Sequence, residues 1–438
     1  MTAIRIDRVA PPDRLPPVLA AGGLNKPVTG HTGSSPALEI NGWVIGSELA
    51  VKTVEVVHRG RVIRSIPVNL ERPDVTSKHS DRPGADRPGF AGLLSTLGLP
   101  TEFSLDIRAV LEDGERARMT LLEGSRTLAR TKFEPSYSPL IMTALGRTGS
   151  TWMMNLLAAH PQIVVGRWYP FECRTAKYWL QVLKRLSEPA TQPDAVGKFH
   201  AGAWWVGPNP YFEWDLIRGS SVDDALFIER TAEFCQRNIE SWYQAVAESQ
   251  GKKGVRYFSE KFVPEDMLPP LAREIYPNAK EIFLVRDFRD VICSILAFDE
   301  KRGFSGFGRR EDESPEAYIR RVGKSALSFH HDWELRKDSS YLVRYEDLIL
   351  EPTGTLKGLS DFLGLESSAR TIEVLLEEAE RESRSYRAHR TSGSVRTSMG
   401  RWKRELDPEV QEIVRHAFEA ALEGFGYSLD DVSVPPGT

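Results

Sequence analysis

The sequence predicts an α/β fold: a phosphate-loop-type parallel sheet with flanking helices, preceded by a small all-β antiparallel sandwich. Three observations predict it. After Pro139, short apolar runs ("LIMTAL", "EIFLV", "SYLVR") alternate with helical stretches, the pattern of parallel strands joined by crossover helices. Before that point, period-two alternation with short turns extends over roughly a hundred residues, which suits an antiparallel sandwich. The run "LIMTALGRTGSTWMMNLL", residues 140–157, joins an apolar strand to a helix through a glycine turn. Backbone N–H groups converging on a helix N-terminus in such a turn make a cradle for an anion.

Taken in order, residues 1–35 are rich in Pro, Gly and Ser and predict a flexible N-terminal arm. Residues 36–135 form the expected sandwich. "TVEVVHRGRVIRSIPV" reads as two strands about Arg59 and Gly60, and "EFSLDIRAVLEDGERARMTLL" as two more about Glu112, Asp113 and Gly114. Between them "ERPDVTSKHSDRPGADRPGFAG" reads as a long polar loop. Residues 138–430 form the expected α/β domain, with helices in "TAEFCQRNIESWYQAVAE" and "PEVQEIVRHAFEAALEGF". The helix opening near Ser150 would pack on the sheet through Trp152, Met153, Leu156 and Leu157.

Composition narrows the function. A chain of 438 residues with 41% hydrophobic and 27% charged residues is that of a globular protein of about two domains. A net charge of −4 supplies no global basic field, so neither nucleic acid nor an anionic membrane is expected as partner. Any anion site must be local. Three scattered cysteines, with no metal-ligand spacing, fit a reducing compartment. The N-terminus lacks an apolar signal core and no window is long enough to span a bilayer. A cytoplasmic protein without integral membrane association and without a metal is expected, and a homo-oligomer is compatible with this.

The glycine turn lacks the lysine that cradles β/γ-phosphates: Gly149 is followed directly by Ser150 and Thr151, and Arg147 is the turn's cation. Alone, such a turn also serves as a plain connector. "EIFLVRDFRDVICSILAF" adds a second half-site. Arg286 stands at a strand tip, with Ser294 eight residues later on the next helix, on the edge where open α/β sheets bind ligands. The bland alternative pairs Arg286 with Asp287 or Asp290 on the surface.

"GRTGSTW" followed by "LVRDFRDVICS" resembles the paired motifs of the sulfotransferases that use 3′-phosphoadenosine 5′-phosphosulfate. "YLVRYEDLILEP", "LSDFLGL" and "SMGRWKREL" also resemble that family, over about residues 138–427. The arginine-type loop is similar to carbohydrate, tyrosyl-protein and many bacterial members rather than to cytosolic aryl members. The resemblance implies that Arg147, Thr148, Gly149, Ser150, Thr151 and Trp152 hold the 5′-phosphosulfate. Arg286 and Ser294 would hold the 3′-phosphate, with Gly400 and Arg401 closing over it, and Tyr345 would also bind the nucleotide. No metal takes part.

It also implies catalytic roles. The Lys-x-His segment of cytosolic members is "SEKFVPE" here, with Val263 two residues after Lys261, so no histidine base is available. Glu172 resembles the glutamate base of the other branch, and burial is expected to raise its pKa; Glu260 is the reserve. Lys261 and Arg147 would stabilise charge developing on the leaving group. Bland readings make Glu172 an ion-pair partner of Arg167 or Arg174, and Lys261 a solvated lysine. His160 reads as a cationic helix-end cap, and His200 and His389 receive no role. Trp204, Trp205, Tyr211, Phe212 and Trp214 suit either an acceptor wall or a core. The acceptor is expected to be a hydroxyl-bearing small molecule or glycan, a saccharide first. Two competing readings are a kinase with a degenerate loop, which needs magnesium and a loop lysine, and a non-catalytic nucleotide-binding scaffold.

Overall fold

A computed structural model of the chain describes residues 3–168, 170–187, 224–264, 267–303, 309–310, 312–380, 391–392 and 396–429. The aromatic residues between 204 and 214, together with His200 and His389, lie outside them. Two compact units interleave along the sequence, where one boundary near residue 135 was expected. The first comprises Met1–Glu134, Tyr178–Asn238 and Pro270–Ile275, the second Pro135–Lys177, Ile239–Pro269 and Tyr276–Thr438.

The first unit carries two antiparallel sheets. Strands β1 (Ile4–Ala10), β3 (Thr32–Gly33), β5 (Val51–His58), β6 (Arg61–Pro67), β8 (Glu102–Leu111) and β9 (Arg116–Arg126) form a six-stranded sheet in the order β3-β1-β9-β8-β5-β6. Strands β2 (Leu19–Lys26), β4 (Ala37–Gly46) and β7 (Gly89–Ser95) form the other, in the order β2-β4-β7. Both expected hairpins are present, β5–β6 turning through Arg59 and Gly60 at φ 50° and 81°, the two-residue positive-φ turn that matches strand twist. Two corrections follow. Residues 1–35, expected as a loose arm, contain strands, because Ile4 and Ile6 alternate inward and β1 pairs with β9. The polar loop expected between the hairpins holds the helix Pro73–His79 and runs into β7, with Val75 as the buried anchor. In this unit Arg126 donates to both carboxylate oxygens of buried Glu274, at 2.5 and 2.9 Å. Glu274 also accepts the Gly98 and Ala129 amides, so the buried charges are fully hydrogen-bonded.

The second unit is built on a five-stranded, wholly parallel sheet: β10 (Ser138–Ala144), β11 (Ile163–Val165), β12 (Tyr257–Phe262), β13 (Lys280–Val285) and β14 (Ser340–Arg344) in the order β11-β12-β10-β13-β14. The period of two divides its side chains. Leu140, Met142, Ile282, Leu284 and Val343 join one core with the helices Ser150–Ala159, Pro352–Leu363 and Ala369–Glu380. Phe283 and Val285 face the other, against the helices Phe288–Arg302, Pro315–Arg336 and Pro408–Gly424. The chain leaves β10 for β11 and β12 on one side, then returns to β13 and β14 on the other. That reversal is the topological switch point, and the loops at its strand C-termini are where a ligand is expected.

Candidate active site

The C-terminal ends of β10, β12, β13 and β14 carry predicted residues: Arg147, Lys261, Arg286 and Tyr345. The phosphate loop leaves β10 with Arg147 at φ 65° and Gly149 at φ 91°, and Gly149 caps the helix Ser150–Ala159. Only glycine suits that position, since an added Cβ would stand 2.5 Å from the Tyr345 ring. Gly149→Ala should therefore cost on the order of 2 kcal/mol or more, read as a lowered unfolding midpoint. Thr148 is buried and donates its hydroxyl to Leu145 O at 2.9 Å, closing the loop on itself.

Two poles flank this loop. At the first, Arg286 is 4% exposed and packs over the Tyr345 ring at 4.8 Å. It donates to Arg147 O at 3.1 Å and Ser398 O at 2.5 Å. Its Nε is buried with no partner among the described residues. Among the described residues it makes neither ion pair considered for it: Asp287 caps its helix and holds Arg289 at 2.8 Å, and Asp290 accepts the Gly400 and Trp402 amides. Arg147 directs its guanidinium here as well, with Nε on Ser294 Oγ at 3.0 Å, Nη2 on Thr391 at 3.5 Å and the Phe298 ring 4.6 Å away. Thr391 lies 3.3 Å from Ser294 Oγ and accepts from Arg401 at 2.9 Å. Tyr345 OH and Ser398 Oγ are 3.0 Å apart, and the Trp152 ring lies edge-on to Tyr345 at 6.0 Å. Thr391 and Ser398 were missed as site residues. They fall in the Ser/Thr-rich stretch "TSGSVRTS", which offers no spacing signal of its own.

The second pole is Lys261, on β12, which donates to Thr151 Oγ1 at 3.2 Å and Pro170 O at 2.5 Å. It is 8% exposed, so it is not the solvated lysine of the bland reading. Burial lowers its pKa to about 8, with Glu172 pulling upward and Arg174 downward. Arg147 is thus grouped with Ser294, and Lys261 with the phosphate-loop helix.

The two carboxylates differ. Glu172 is not buried as expected: its side chain is 51% exposed and pairs with Arg174 at 3.5 Å. Glu260 projects to the strand face opposite Lys261. It accepts from the Ala176 amide at 2.6 Å, the Lys177 amide at 3.1 Å and the Tyr243 hydroxyl at 2.5 Å. It is therefore the cap of the helix Thr175–Leu186, with both oxygens engaged. Burial pushes its pKa up to about 7. The folded protein holds that proton more tightly than the unfolded chain, so stability falls as pH rises from about 4.5 to about 7. Glu260→Gln should remove part of that slope in denaturant titrations run across this window. Glu346, also pushed to about 7 by burial, contributes to the same slope.

His160 is structural, as expected, but not as a cation. Its Nδ1 accepts the Gln162 amide at 3.1 Å, its Nε2 faces Glu366 O at 3.3 Å, and burial lowers its pKa. The ring is a neutral bridge, and the ammonium of Lys252 caps that helix end instead, on Ala158 O and His160 O at 2.7 Å.

Residues 139–369, just over half of the chain, match the sequence model of the Sulfotransferase family. The chain belongs to the sulfotransferase family. It is 27% identical over 175 residues to carbohydrate sulfotransferase 3 of Tetronarce californica, covering 37% of this chain and 39% of that protein. It is 24% identical over 322 residues to cytosolic sulfotransferase 10 of Arabidopsis thaliana, covering 68% of this chain and 81% of that protein. Among solved structures it is similar to the sulfotransferase domain from the curacin biosynthetic pathway, at 16% identity and a TM-score of 0.40, covering 67% of this chain and 99% of that one. No described helix is long and apolar enough to cross a membrane.

Proposed function

We propose that this sulfotransferase moves the sulfuryl group of 3′-phosphoadenosine 5′-phosphosulfate to a hydroxyl of a saccharide or glycoconjugate. The observation that carries the donor is the buried arginine pole: Arg286 keeps an Nε with no partner among the described residues and donates to the Arg147 carbonyl, while the Arg147 guanidinium donates to Ser294. A phosphate is the ligand that such a fork satisfies, since its oxygens accept from several guanidinium N–H groups at once. Arg286, Ser294 and Arg147 would hold the 3′-phosphate, and Gly400 and Arg401 would lie across it. Thr148, Gly149, Ser150 and Thr151, at the helix N-terminus, would receive the 5′-phosphosulfate, with Trp152 and Tyr345 beside the nucleotide.

The acceptor oxygen would form its bond to sulfur as the bond from sulfur to the 5′-phosphate oxygen breaks, in line and in one step. Glu172, the carboxylate coupled to Lys261 and open to solvent, would take the acceptor proton. The engagement of both Glu260 oxygens leaves that residue no part in proton transfer. Lys261 would stabilise the charge growing on the leaving 5′-phosphate. Support for a saccharide comes from the similarity to a carbohydrate sulfotransferase. A kinase would need Asp287 as a metal ligand, and both its carboxylate oxygens are engaged by Arg289.

Calorimetric titration with adenosine 3′,5′-bisphosphate, with and without magnesium and against ATP, tests the reading. Tight binding of the bisphosphate that ignores magnesium, with ATP much weaker, supports it. Binding of magnesium–ATP and not of the bisphosphate overturns it.

A further inference from the structure

The second motif, Arg286-Asp287-Phe288-Arg289-Asp290, does more than face a phosphate. Its polar side chains also grip the C-terminal part of the chain. Arg286 donates to Ser398 O, and Arg289 to Ser428 O and Leu429 O at 2.9 and 2.8 Å. Asp290, 1% exposed, accepts the Gly400 amide at 2.7 Å on one oxygen and the Trp402 amide at 3.1 Å on the other. Those two bonds fix a turn in which Gly400 has φ 65°. The same turn presents Ser398 to Arg286 and Tyr345, and Arg401 to Thr391.

Arg286 is therefore shared: one N–H holds the turn, while its Nε, without a partner among the described residues, remains for an anion. Whatever orders the turn also orders the guanidinium. We propose that Asp290 is a positioning residue for the donor site, anchoring residues 398–402 so that docking of this segment and binding of the nucleotide stabilise one another. The inference rests on the reading of Arg286 as a nucleotide-phosphate ligand. Coupling of this kind is reciprocal, so the nucleotide must protect the segment by the factor by which the docked segment tightens the nucleotide.

Arg401 supplies the probe, because it is a buried trypsin site at 3% exposure inside the anchored segment. Cleavage after Arg401, followed by mass spectrometry on the full chain, is expected to slow when adenosine 3′,5′-bisphosphate is added. In Asp290→Ala the cleavage should be fast and indifferent to the bisphosphate, and the dissociation constant should rise about tenfold or more, two charge-assisted bonds being lost. Asp290→Asn, which keeps one carbonyl acceptor, should fall between. Gly400→Ala, strained at its positive φ, approaches the same turn from the other side if Asp290→Ala does not fold, and should loosen both readouts. In Asp290→Ala, turnover of donor already bound should change little, which separates positioning from chemistry. Wild-type affinity in Asp290→Ala, or cleavage after Arg401 that the bisphosphate does not slow in the wild type, overturns the proposal. Should the wild type bind no bisphosphate, the donor reading fails with it. Faster cleavage in Asp290→Asn would then still show Asp290 as the anchor.

Discussion

Replacing Arg286 by alanine is expected to weaken adenosine 3′,5′-bisphosphate by roughly a hundredfold or more, the size expected when one partner of a buried charged pair is truncated. The loss should exceed that for a surface arginine because Arg286 is fixed before any ligand arrives. Tyr345 lies against its face, and the carbonyls of Arg147 and Ser398 hold its two terminal nitrogens. Little side-chain entropy is left to lose on binding. Arg286→Lys should not rescue it, since an ammonium can neither stack as a plane on Tyr345 nor offer a fork. Titration calorimetry of the three proteins decides this. Equal affinity in Arg286→Ala would remove the phosphate from this pole and leave the buried Nε without an account.

How much of this was legible beforehand follows from where the signals lie. The strands β10, β13 and β14 announce themselves as short apolar runs between helical stretches, and Arg286 and Ser294 follow from a strand tip and a fixed spacing. β12 does not announce itself. It is buried along its whole length yet reads "YFSEKF", because Glu260 and Lys261 put charges into a central strand. Each charge has a tertiary partner that no local pattern contains: the N-terminus of the helix Thr175–Leu186 for one, Thr151 and the Pro170 carbonyl for the other. β1 was hidden for a related reason. "IRIDRVA" is a fair alternating strand, but the Pro- and Gly-rich surroundings outweighed it, and its pairing partner β9 lies more than a hundred residues away. The direction of Arg147 was likewise beyond reach. Position in the phosphate loop suggested the phosphosulfate, whereas a positive φ turns the side chain toward Ser294 and Phe298.

On the proposed reading, that division of the cations makes Lys261 the residue on which sulfuryl transfer should most depend. Lys261→Met, which keeps an apolar stem and removes the charge, should lower turnover about 10²- to 10³-fold while leaving the bisphosphate within a few-fold of wild-type affinity. The separation is expected because charge on the leaving oxygen grows during the reaction, and Lys261 sits at the Thr151 end of the loop, apart from the arginine pole. The pH dependence carries the same signature. Burial holds the Lys261 pKa down near 8, so its cation is present below that value and lost as pH rises through it. Release of the bisphosphate from 3′-phosphoadenosine 5′-phosphosulfate, to a hydroxyl acceptor or to water, should decline on that alkaline limb in the wild type. The limb should be missing in Lys261→Met. A variant that turns over at the wild-type rate, or that keeps the limb, would shift the stabilising role to Arg147 and make Lys261 a strut between the phosphate-loop helix and residue 170.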